Sequence, residues 1–430
     1  MEFARACLKL KKVLIIAFHF PPFGGGSGFL RTLKFCRHLS EFGWQPVVLT
    51  VQSKAYERID PSQLGQIPVN VPVLRAFGLD IRKHLSFGGR YPLWLAIPDR
   101  WVSWCLSAIP TGLFAIQKRQ IDLILTTFPI ATAVLIGLIL HRLTGKPWVV
   151  DFRDSMTEDK YPQDAFTRRV WRWIESQAVK HSSRLVFTAS SAVRMYLNRY
   201  PKLSPEKCML IPNGYDEEDF KDLVSAPSRT NHVDRPTRLL HLGLLYPEER
   251  DPLPFFKAMS RLKSDGLVNP ASLRICLRAP GSEDVYAKII RQEEIETLVE
   301  ILPPIPYRQA LREAANADGL LLFQGACCDH QIPAKTYEYL RLGKPILALT
   351  SETGDTAALL RENGGATIVD LADEDAIYRA VPAFVCSVQQ QVHSLPDATK
   401  ARRYSRRSQT EELAKCLAEA VSAQETSSME

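Results

Sequence analysis

The chain has 430 residues, of which 46% are hydrophobic and 23% are charged, with a formal net charge of +7. This composition excludes a disordered chain, the length predicts two globular domains, and no apolar run reaches the roughly 18 to 20 residues of a membrane-spanning helix. The nine cysteines lack paired spacing, and no motif that reads DNA or RNA accompanies the basic charge, so we expect a reduced cytoplasmic protein without a nucleic acid partner.

Short apolar runs in the first half of the chain predict the parallel strands of an α/β domain. The first run, at residues 13–18, is unbroken, as in strands that are buried on both faces, and it suits a strand better than a signal peptide. Helical patterns separate the runs, which favours alternating strands and helices. The expected strands lie at residues 13–18, 46–50, 121–126, 147–151 and 185–188. This domain is predicted to cover residues 1–220.

A glycine-rich loop at residues 24–28 follows the first predicted strand and is a candidate ligand site. Gly25 and Gly26 would let the backbone approach a ligand closely, and the next helix would offer unpaired N–H groups to an anion. The glycines do not have the spacing of dinucleotide-binding loops, and no Walker lysine follows them. A ligand-facing role and a purely steric role therefore both stay open.

Charged residues cluster at the end of the predicted strand at residues 147–151. Asp151 or Asp154 could orient a hydroxyl group or act as a base, but both could equally form structural ion pairs with Arg153. The arginine between the carboxylates disfavours a divalent cation, so metal-independent chemistry is expected.

Residues 91–104 contain three of the seven tryptophans of the chain. Such side chains suit a membrane interface or a surface on which a sugar stacks. Core packing at a junction between a loop and a helix explains the same pattern, so both explanations stay open.

The second half of the chain predicts another α/β domain. A linker is expected at residues 221–237, where polar residues and prolines break every periodic pattern. The second domain is predicted at residues 238–400, followed by a helix at 401–420 that packs back on the N-terminal domain and a frayed tail at 421–430. The expected strands lie at residues 239–243, 273–277, 299–302, 319–323 and 345–349. Two Rossmann-like parallel-sheet domains facing across a cleft are therefore predicted.

A short helix in the second domain carries a candidate ligand site. Pro333, Gly343 and Pro345 bracket about ten helical residues. Lys335 and Glu338 are three residues apart and share one face of this helix. The lysine could meet a diphosphate and the glutamate could accept hydrogen bonds from sugar hydroxyls, although an ordinary surface ion pair has the same spacing.

Four segments carry motifs in a fixed order: FPPFGGG at residues 20–26, DFRD at 151–154, IPNGYD at 211–216 and PAKTYEYLRLGKP at 333–345. In this order they resemble the retaining glycosyltransferases of family 4, which have the GT-B fold. The resemblance extends over about residues 11–420 and is strongest to a subgroup that acts on bacterial surface polysaccharides. It implies that the C-terminal domain binds a nucleotide-sugar donor and that the N-terminal domain binds the acceptor.

The resemblance also implies roles for individual residues. Arg250 matches the arginine that stabilises the departing diphosphate, Lys335 could contact phosphate, and Glu338 matches the glutamate that binds the ribose. Asp151 and Asp154 are the catalytic candidates of the N-terminal domain, and a local ion pair is the alternative explanation for Arg250. Further donor contacts are expected from Gly25, Gly26, Gly243, Tyr307, His330 and Tyr337, and acceptor contacts from Arg153 and Asn213.

The chain departs from the family pattern at three places. His330 stands where the first of two glutamates is expected, with Asp329 beside it. No lysine follows Arg250 within residues 251–256, so Lys335 is the expected substitute and Lys257 is the less favoured one. The histidine of the family's N-terminal domain has no obvious counterpart.

These features predict a metal-independent glycosyltransferase of the hexosyltransferase type, which moves a sugar from a nucleotide diphosphate to a hydroxyl group of a glycan or lipid-linked acceptor. Surface polysaccharide biosynthesis is the expected process, and no cofactor is expected besides the nucleotide sugar. The protein is expected in the cytoplasm, with peripheral contact at the inner face of the membrane through residues 91–104 if the acceptor is lipid-linked. The alternatives are a nucleotide-sugar epimerase and a non-catalytic nucleotide-sugar-binding protein, for which His330 is the best argument.

Overall fold

The computed structural model describes residues 10–25, 27–85, 91–158, 161–221, 223, 235–247 and 249–427. These residues form two compact units. The first unit contains the residues up to Pro212 together with those from Arg406 onward, and the second unit runs from Asn213 to Ser405. Each unit contains one parallel sheet.

All five strands predicted for the first half of the chain are present in the first unit, with ends shifted by up to two residues. The sheet also contains two short, partly exposed strands that the hydrophobic pattern did not reveal, β3 and β7. The strands are β1 (Lys11–Ile16), β2 (Trp44–Val51), β3 (Val73–Ala76), β4 (Leu123–Thr127), β5 (Trp148–Phe152), β6 (Arg184–Phe187) and β7 (Cys208–Leu210). Their order in the sheet is β3-β2-β1-β4-β5-β6-β7, and all neighbours are parallel.

Helices cover both faces of this sheet. The helices are α1 (Leu30–His38), α2 (Ile81–His84), α3 (Cys105–Arg119), α4 (Ala131–Thr144), α5 (Ala165–His181), α6 (Ser190–Arg199) and, from the end of the chain, α14 (Arg406–Ser427). Because strand side chains alternate between faces, Val13 and Ile15 pack toward α1 and α14, whereas Leu14 and Ile16 pack toward α3, α4 and α5. Apolar runs of this kind are buried on both sides.

The last helix is longer than the sequence indicated. The predicted helix ended at residue 420 with a frayed tail at 421–430, but α14 continues to Ser427. Val421 is buried in the core of the first unit, and the Gln424 side chain donates a hydrogen bond to a backbone carbonyl of the same unit. These contacts extend the ordered helix beyond the predicted end.

The second unit has a six-stranded parallel sheet in the order β10-β9-β8-β11-β12-β13. The strands are β8 (Thr237–Leu242), β9 (Leu273–Arg278), β10 (Val299–Leu302), β11 (Gly319–Gln324), β12 (Ile346–Thr350) and β13 (Ala366–Val369). The helices are α7 (Leu253–Ser264), α8 (Glu283–Gln292), α9 (Tyr307–Ala315), α10 (Ala334–Leu342), α11 (Asp355–Asn363), α12 (Glu374–Gln389) and α13 (Ala398–Ala401).

The division between the units differs from the predicted boundary at residue 220. Tyr215 and Phe220 lie in the hydrophobic core of the second unit, with Tyr337 and Tyr404. The stretch from residue 213 to 220 therefore belongs to the second unit. Within the predicted linker, residues 222 and 224–234 lie outside the described residues.

Two of the three tryptophans at residues 91–104 pack in the first unit. Trp104 is fully buried and Trp101 is half-buried, with ring centroids 5.7 and 4.6 Å from that of Phe18. Trp94 is exposed. Core packing thus explains most of this aromatic cluster. Within the described ranges, no helix combines the length and hydrophobicity that crossing a bilayer requires.

Candidate functional site

The order of the strands marks one crevice in each unit where a ligand can bind. In the second unit, the chain passes from β8 to β9 and β10 on one side and returns with β11 on the other side of β8. Ligands of open parallel sheets bind at such a reversal, beyond the carboxyl ends of the strands. The reversal in the first unit lies between β1 and β4. Side chains beyond these strand ends are therefore the candidates.

Beyond the end of β8, the chain turns at Gly243, whose φ of +81° lies in the left-handed region that favours glycine. Its N–H donates to the Arg278 carbonyl at 2.9 Å. A Cβ atom at this position would lie 3.7 Å from Nζ of Lys335, which is in the first turn of α10. The glycine thus brings uncovered backbone next to an ammonium group.

Lys335 is held by a buried histidine. Its Nζ atom lies 3.1 Å from Nε2 of His241, whose Nδ1 atom lies 3.0 Å from the Leu321 carbonyl. Because a carbonyl only accepts, Nδ1 of His241 carries the proton and Nε2 accepts from Lys335. Burial and the nearby ammonium keep the pKa of His241 well below its ordinary value. Burial and the charge of Arg250 lower the pKa of Lys335 to about 7.

Arg250 lies in the same crevice. Its guanidinium carbon is 5.5 Å from the centre of the Tyr246 ring, and Nη1 donates weakly to the Leu244 carbonyl at 3.4 Å. The Nε atom is buried and has no hydrogen-bond partner among the described residues. Within the described part of this loop, Glu249 and Asp251 form no ion pair with Arg250. The arrangement leaves two cations at one strand end, which suits an anionic ligand.

Tyr307 and Glu338 form a second polar contact beside this cation pair. The Tyr307 hydroxyl, at the start of α9, donates to Oε1 of Glu338 at 2.6 Å. Glu338 lies one turn after Lys335, and its charge acts to raise the pKa of that lysine. Two residues predicted from separate segments are therefore brought together, in a position to contact sugar hydroxyls.

The loop after β11 contains His330. The buried Gln324 side chain shapes this loop by donating to the carbonyls of Cys328 at 2.6 Å and Gln331 at 2.8 Å. His330 is half-buried there. The preceding Asp329 has a buried Oδ1 atom without a hydrogen-bond partner among the described residues. A carboxylate therefore remains next to the position where the family pattern expects glutamate.

In the first unit, His19 lies just beyond β1. Its ring stacks on Phe23, with centroids 4.2 Å apart. A Cβ atom on Gly28 would lie 4.0 Å from both His19 Nδ1 and Arg153 Nη2, and Arg153 donates to the Gly28 carbonyl. Burial, and to a smaller extent the charge of Arg153, lowers the pKa of His19 to about 4. The ring is therefore neutral at physiological pH.

Asp151 forms a buried ion pair with Arg31 of α1. The guanidinium contacts both carboxylate oxygens at 3.0 Å, and it also donates to the carbonyls of Ile211 at 2.9 Å and Pro212 at 2.8 Å. The side chains are 1% and 4% exposed. This bidentate pair joins α1, β5 and the segment after β7.

The chain has the fold of several solved proteins. Sucrose-phosphate synthase from Thermosynechococcus elongatus superposes with a TM-score of 0.65 at 12% identity, over 96% of this chain and 100% of that one. HepE from Anabaena, in complex with UDP and glucose, gives 0.62 at 14% identity over 95% and 99%. UDP-GlcNAc 2-epimerase from Methanocaldococcus jannaschii gives 0.55 at 13% identity over 95% and 99%. At these identities the likeness shows the fold alone.

Residues 30–214 match the model of the glycosyl transferase 4-like domain. The matched part is less than half of the chain, and it is similar to that family. No curated protein is significantly similar to the chain in sequence. The match confirms the predicted resemblance and the prediction of a glycosyltransferase, and the two parallel sheets with their structural likeness confirm the predicted GT-B fold.

Two predicted site residues, Tyr337 and Asp151, are buried in contacts with other side chains. Tyr337 is fully buried, with its ring 5.2 Å from that of Tyr404, because it lies on the inner side of α10 while Lys335 and Glu338 lie on the outer side. Asp151 has both oxygens bound by the Arg31 guanidinium. The donor-binding role of Tyr337 and the catalytic role of Asp151 stay predictions.

The remaining predicted residues, Gly25, Gly26, Asp154 and Asn213, have mixed surroundings. Gly25 faces the Phe23 ring, and a Cβ atom there would lie 2.2 Å from it, so packing favours glycine here and the donor-binding role stays a prediction. Gly26 lies outside the described residues. Asp154 is exposed, and its charge acts to raise the pKa of Arg153, which burial lowers. Asn213 is half-buried at the start of the second unit, so its acceptor role stays a prediction.

Three residues of these crevices, Arg31, His241 and His19, were not predicted from the sequence. Each has a contact with a residue far away in the sequence. His241 and Lys335, for example, are 94 positions apart. A histidine inside or directly after an apolar strand was the one signal available, because such positions seldom carry polar side chains without a partner.

Proposed function

We propose that the protein transfers a sugar from a nucleotide-diphosphate donor to a hydroxyl group of a glycan or lipid-linked acceptor. The observation that carries this proposal is the pair of cations, Arg250 and Lys335, beyond the end of β8. It lies where nucleotides bind in parallel sheets, and the described acids beside Arg250 do not neutralise it.

The charge state of Lys335 supports an anionic ligand. A pKa of about 7 means that burial and Arg250 disfavour the ammonium form in the free protein. A bound diphosphate would reverse this effect, since an opposite charge stabilises the ammonium group. The same two cations would stabilise the negative charge that develops on the departing nucleotide, and Gly243 would let a phosphate approach backbone.

The contact between Tyr307 and Glu338 supports a nucleoside or sugar beside that diphosphate. A carboxylate can accept hydrogen bonds from two neighbouring hydroxyl groups, and Tyr307 orients it. HepE, which shares the fold, was solved with UDP and glucose. We therefore propose a UDP-type sugar as the first donor to test.

The first unit would bind the acceptor. His19 is neutral and can exchange hydrogen bonds with a sugar hydroxyl, while Arg153 has a buried Nε atom without a partner among the described residues. Asp154 lies in solvent beside them. Retention of the anomeric configuration, a role in surface polysaccharide biosynthesis and metal-independent transfer belong to the same proposal, on the basis of the family resemblance and of two cations that can replace a metal.

Thermal unfolding in the presence of nucleotide sugars tests this proposal. A donor at one hundred times its dissociation constant adds about 2.7 kcal/mol of stability, so it should stand out from other nucleotides. Arg250→Ala and Lys335→Ala should abolish that shift. Arg274→Ala, an exposed arginine of β9, is the matched control and should keep it.

Product analysis separates the alternatives. Transfer of labelled sugar to an acceptor extract supports the proposal, whereas conversion of the free donor to an epimer without acceptor would favour the epimerase. Donor binding without turnover, unchanged by Glu338→Ala, would favour a non-catalytic binding protein.

A further inference from the structure

The outer face of α3 carries apolar side chains in solvent. Residues 106, 110, 114 and 118 are four apart and therefore form one face of the helix. Leu106 is 82% exposed, Phe114 is 62% exposed, and Pro110 between them is also exposed. The opposite face packs closely on α4, since a Cβ atom on Gly112 would lie 2.6 Å from a leucine methyl group. Packing thus holds the apolar stripe outward.

Phe77 extends this stripe. The Ser107 hydroxyl donates to the Phe77 carbonyl, and the Leu79 N–H donates to Ser103 Oγ at 2.9 Å. These contacts place the segment before α2 alongside the start of α3. Phe77 is itself more than half exposed, and we refer to Phe77, Leu106, Pro110, Phe114 and Lys118 as the α3 face.

Basic residues complete one end of the α3 face. The ammonium of Lys118 lies 5.3 Å from the centre of the Phe114 ring, and Arg119 ends the helix. The fifteen residues of α3 include neither aspartate nor glutamate. Lys12 donates to the Arg119 carbonyl at 2.8 Å, which adds a third cation at this end.

The neighbouring helix α2 adds more positive charge. Arg82 and Lys83 are exposed on it. The one acid of that segment, Asp80, is buried, accepts from the Arg82 N–H and pairs with Arg100 at 3.6 Å. In solvent, the segment therefore presents cations.

We propose that the α3 face docks on the surface of a bilayer that contains anionic lipids. Exposed leucine and phenylalanine would enter the interfacial region, while lysine and arginine would contact lipid phosphates. Symmetric pairing of two copies through this face is disfavoured, because it would bring the same cations together. The biological role of this docking rests on the proposed function, because a lipid-linked acceptor lies in such a bilayer.

The position of the α3 face agrees with a role in bringing the protein to a lipid-linked acceptor. Trp104, directly before α3, has its ring 5.7 Å from that of Phe18, which in turn lies 5.3 Å from the His19 ring. The helix therefore starts beside the carboxyl edge of the first sheet, where the acceptor is proposed to bind. Docking would bring this edge to the membrane surface through α3, rather than through the mostly buried tryptophans of residues 91–104.

Vesicle co-sedimentation of the full chain tests the proposal. Wild type should bind vesicles of phosphatidylcholine mixed with phosphatidylglycerol, bind phosphatidylcholine alone far more weakly, and dissociate as salt rises. The double substitution Leu106→Ser with Phe114→Ser should weaken partitioning by about tenfold or more, because it removes the apolar insertion. The control Leu267→Ser with Val392→Ser, at exposed apolar positions of the second unit, should bind as wild type.

Three outcomes would overturn the docking proposal: no vesicle binding by wild type, unchanged binding by the Leu106/Phe114 variant, or a dimer in sedimentation velocity that this variant alone converts to monomer. The donor-induced thermal shift, measured without vesicles, should be retained in the variant. Absence of that shift in wild type, with vesicle binding intact, would overturn the proposed function and leave the docking proposal standing.

Discussion

The two sheets reverse their strand order in the same way, yet the charges beyond their strand ends differ. In the first unit, the buried Asp151 is fully paired with Arg31, and the pair fastens three segments together. In the second unit, Arg250 and Lys335 lie together, and the described acids next to Arg250 do not pair with it. A buried charge with its counter-charge thus stabilises a scaffold, whereas neighbouring charges of one sign mark the place for a ligand.

Removal of the Asp151 carboxylate, which is paired with Arg31, should have the largest effect, and this effect is on stability. Asp151→Ala leaves the Arg31 guanidinium buried without its counter-charge, so we expect a loss of about 3–5 kcal/mol in the free energy of unfolding. Denaturant titration followed by circular dichroism measures it. Glu206→Ala is the control at an exposed position of the same unit and should change stability by less than about 0.5 kcal/mol. Equal stability of both variants would show that Asp151 does not belong to the scaffold.

The neighbouring cations Arg250 and Lys335 should make donor binding depend on pH. Since the pKa of Lys335 is about 7 in the free protein and a diphosphate raises it, binding takes up a proton above about pH 7. Affinity should then fall as pH rises, by up to about tenfold per unit. Titration calorimetry with UDP-glucose, in buffers of different ionisation enthalpy, measures the proton uptake.

Lys335→Ala supplies the control for this pH effect. The variant should bind more weakly and lose the proton uptake, while Arg274→Ala should behave as wild type. A pH profile that is the same in wild type and Lys335→Ala would remove the lysine from the diphosphate site.

A smaller effect is expected at the polar contact beside the cations. Glu338→Gln keeps the shape of the side chain but removes the charge, so donor affinity should fall by about 0.5–1.5 kcal/mol. Tyr307→Phe should have a smaller effect, because it removes only the group that orients Glu338. The ratio of affinities for UDP-glucose and for free pyrophosphate separates this contact from the diphosphate site, since only the former carries a ribose and a sugar.

No effect is expected from chelation. If the two cations neutralise the leaving group, added EDTA should leave the transfer rate unchanged, and magnesium should not restore the activity of Arg250→Ala. Measurement of product formation with and without chelator tests this. A rate that vanishes with EDTA and returns with magnesium would show that the cations do not suffice.

Much of the fold could be predicted, because buried parallel strands are unbroken apolar runs. The strands β3 and β7 were not predicted, because they are short and partly exposed. In the site, the three-residue spacing of Lys335 and Glu338 was sufficient to place them on one side of a helix. The burial of Tyr337 was not predicted, because adjacent helical residues point in different directions and the sequence does not state which side faces the core.

The partners of buried charges could not be predicted. Arg31 pairs with a carboxylate 120 residues away, and His241 contacts a lysine 94 residues away. Periodicity reports which face of an element is buried, but not which distant side chain meets it. The paired charge of Asp151 and the neighbouring cations Arg250 and Lys335 therefore became visible only in the folded chain.

The decisive measurement is a structure of the protein with a bound nucleotide sugar. We expect the donor diphosphate beyond the end of β8, within hydrogen-bond distance of Arg250 Nε and Lys335 Nζ. A diphosphate bound elsewhere, with these two side chains making no contact to it, would show that they do not form the donor site.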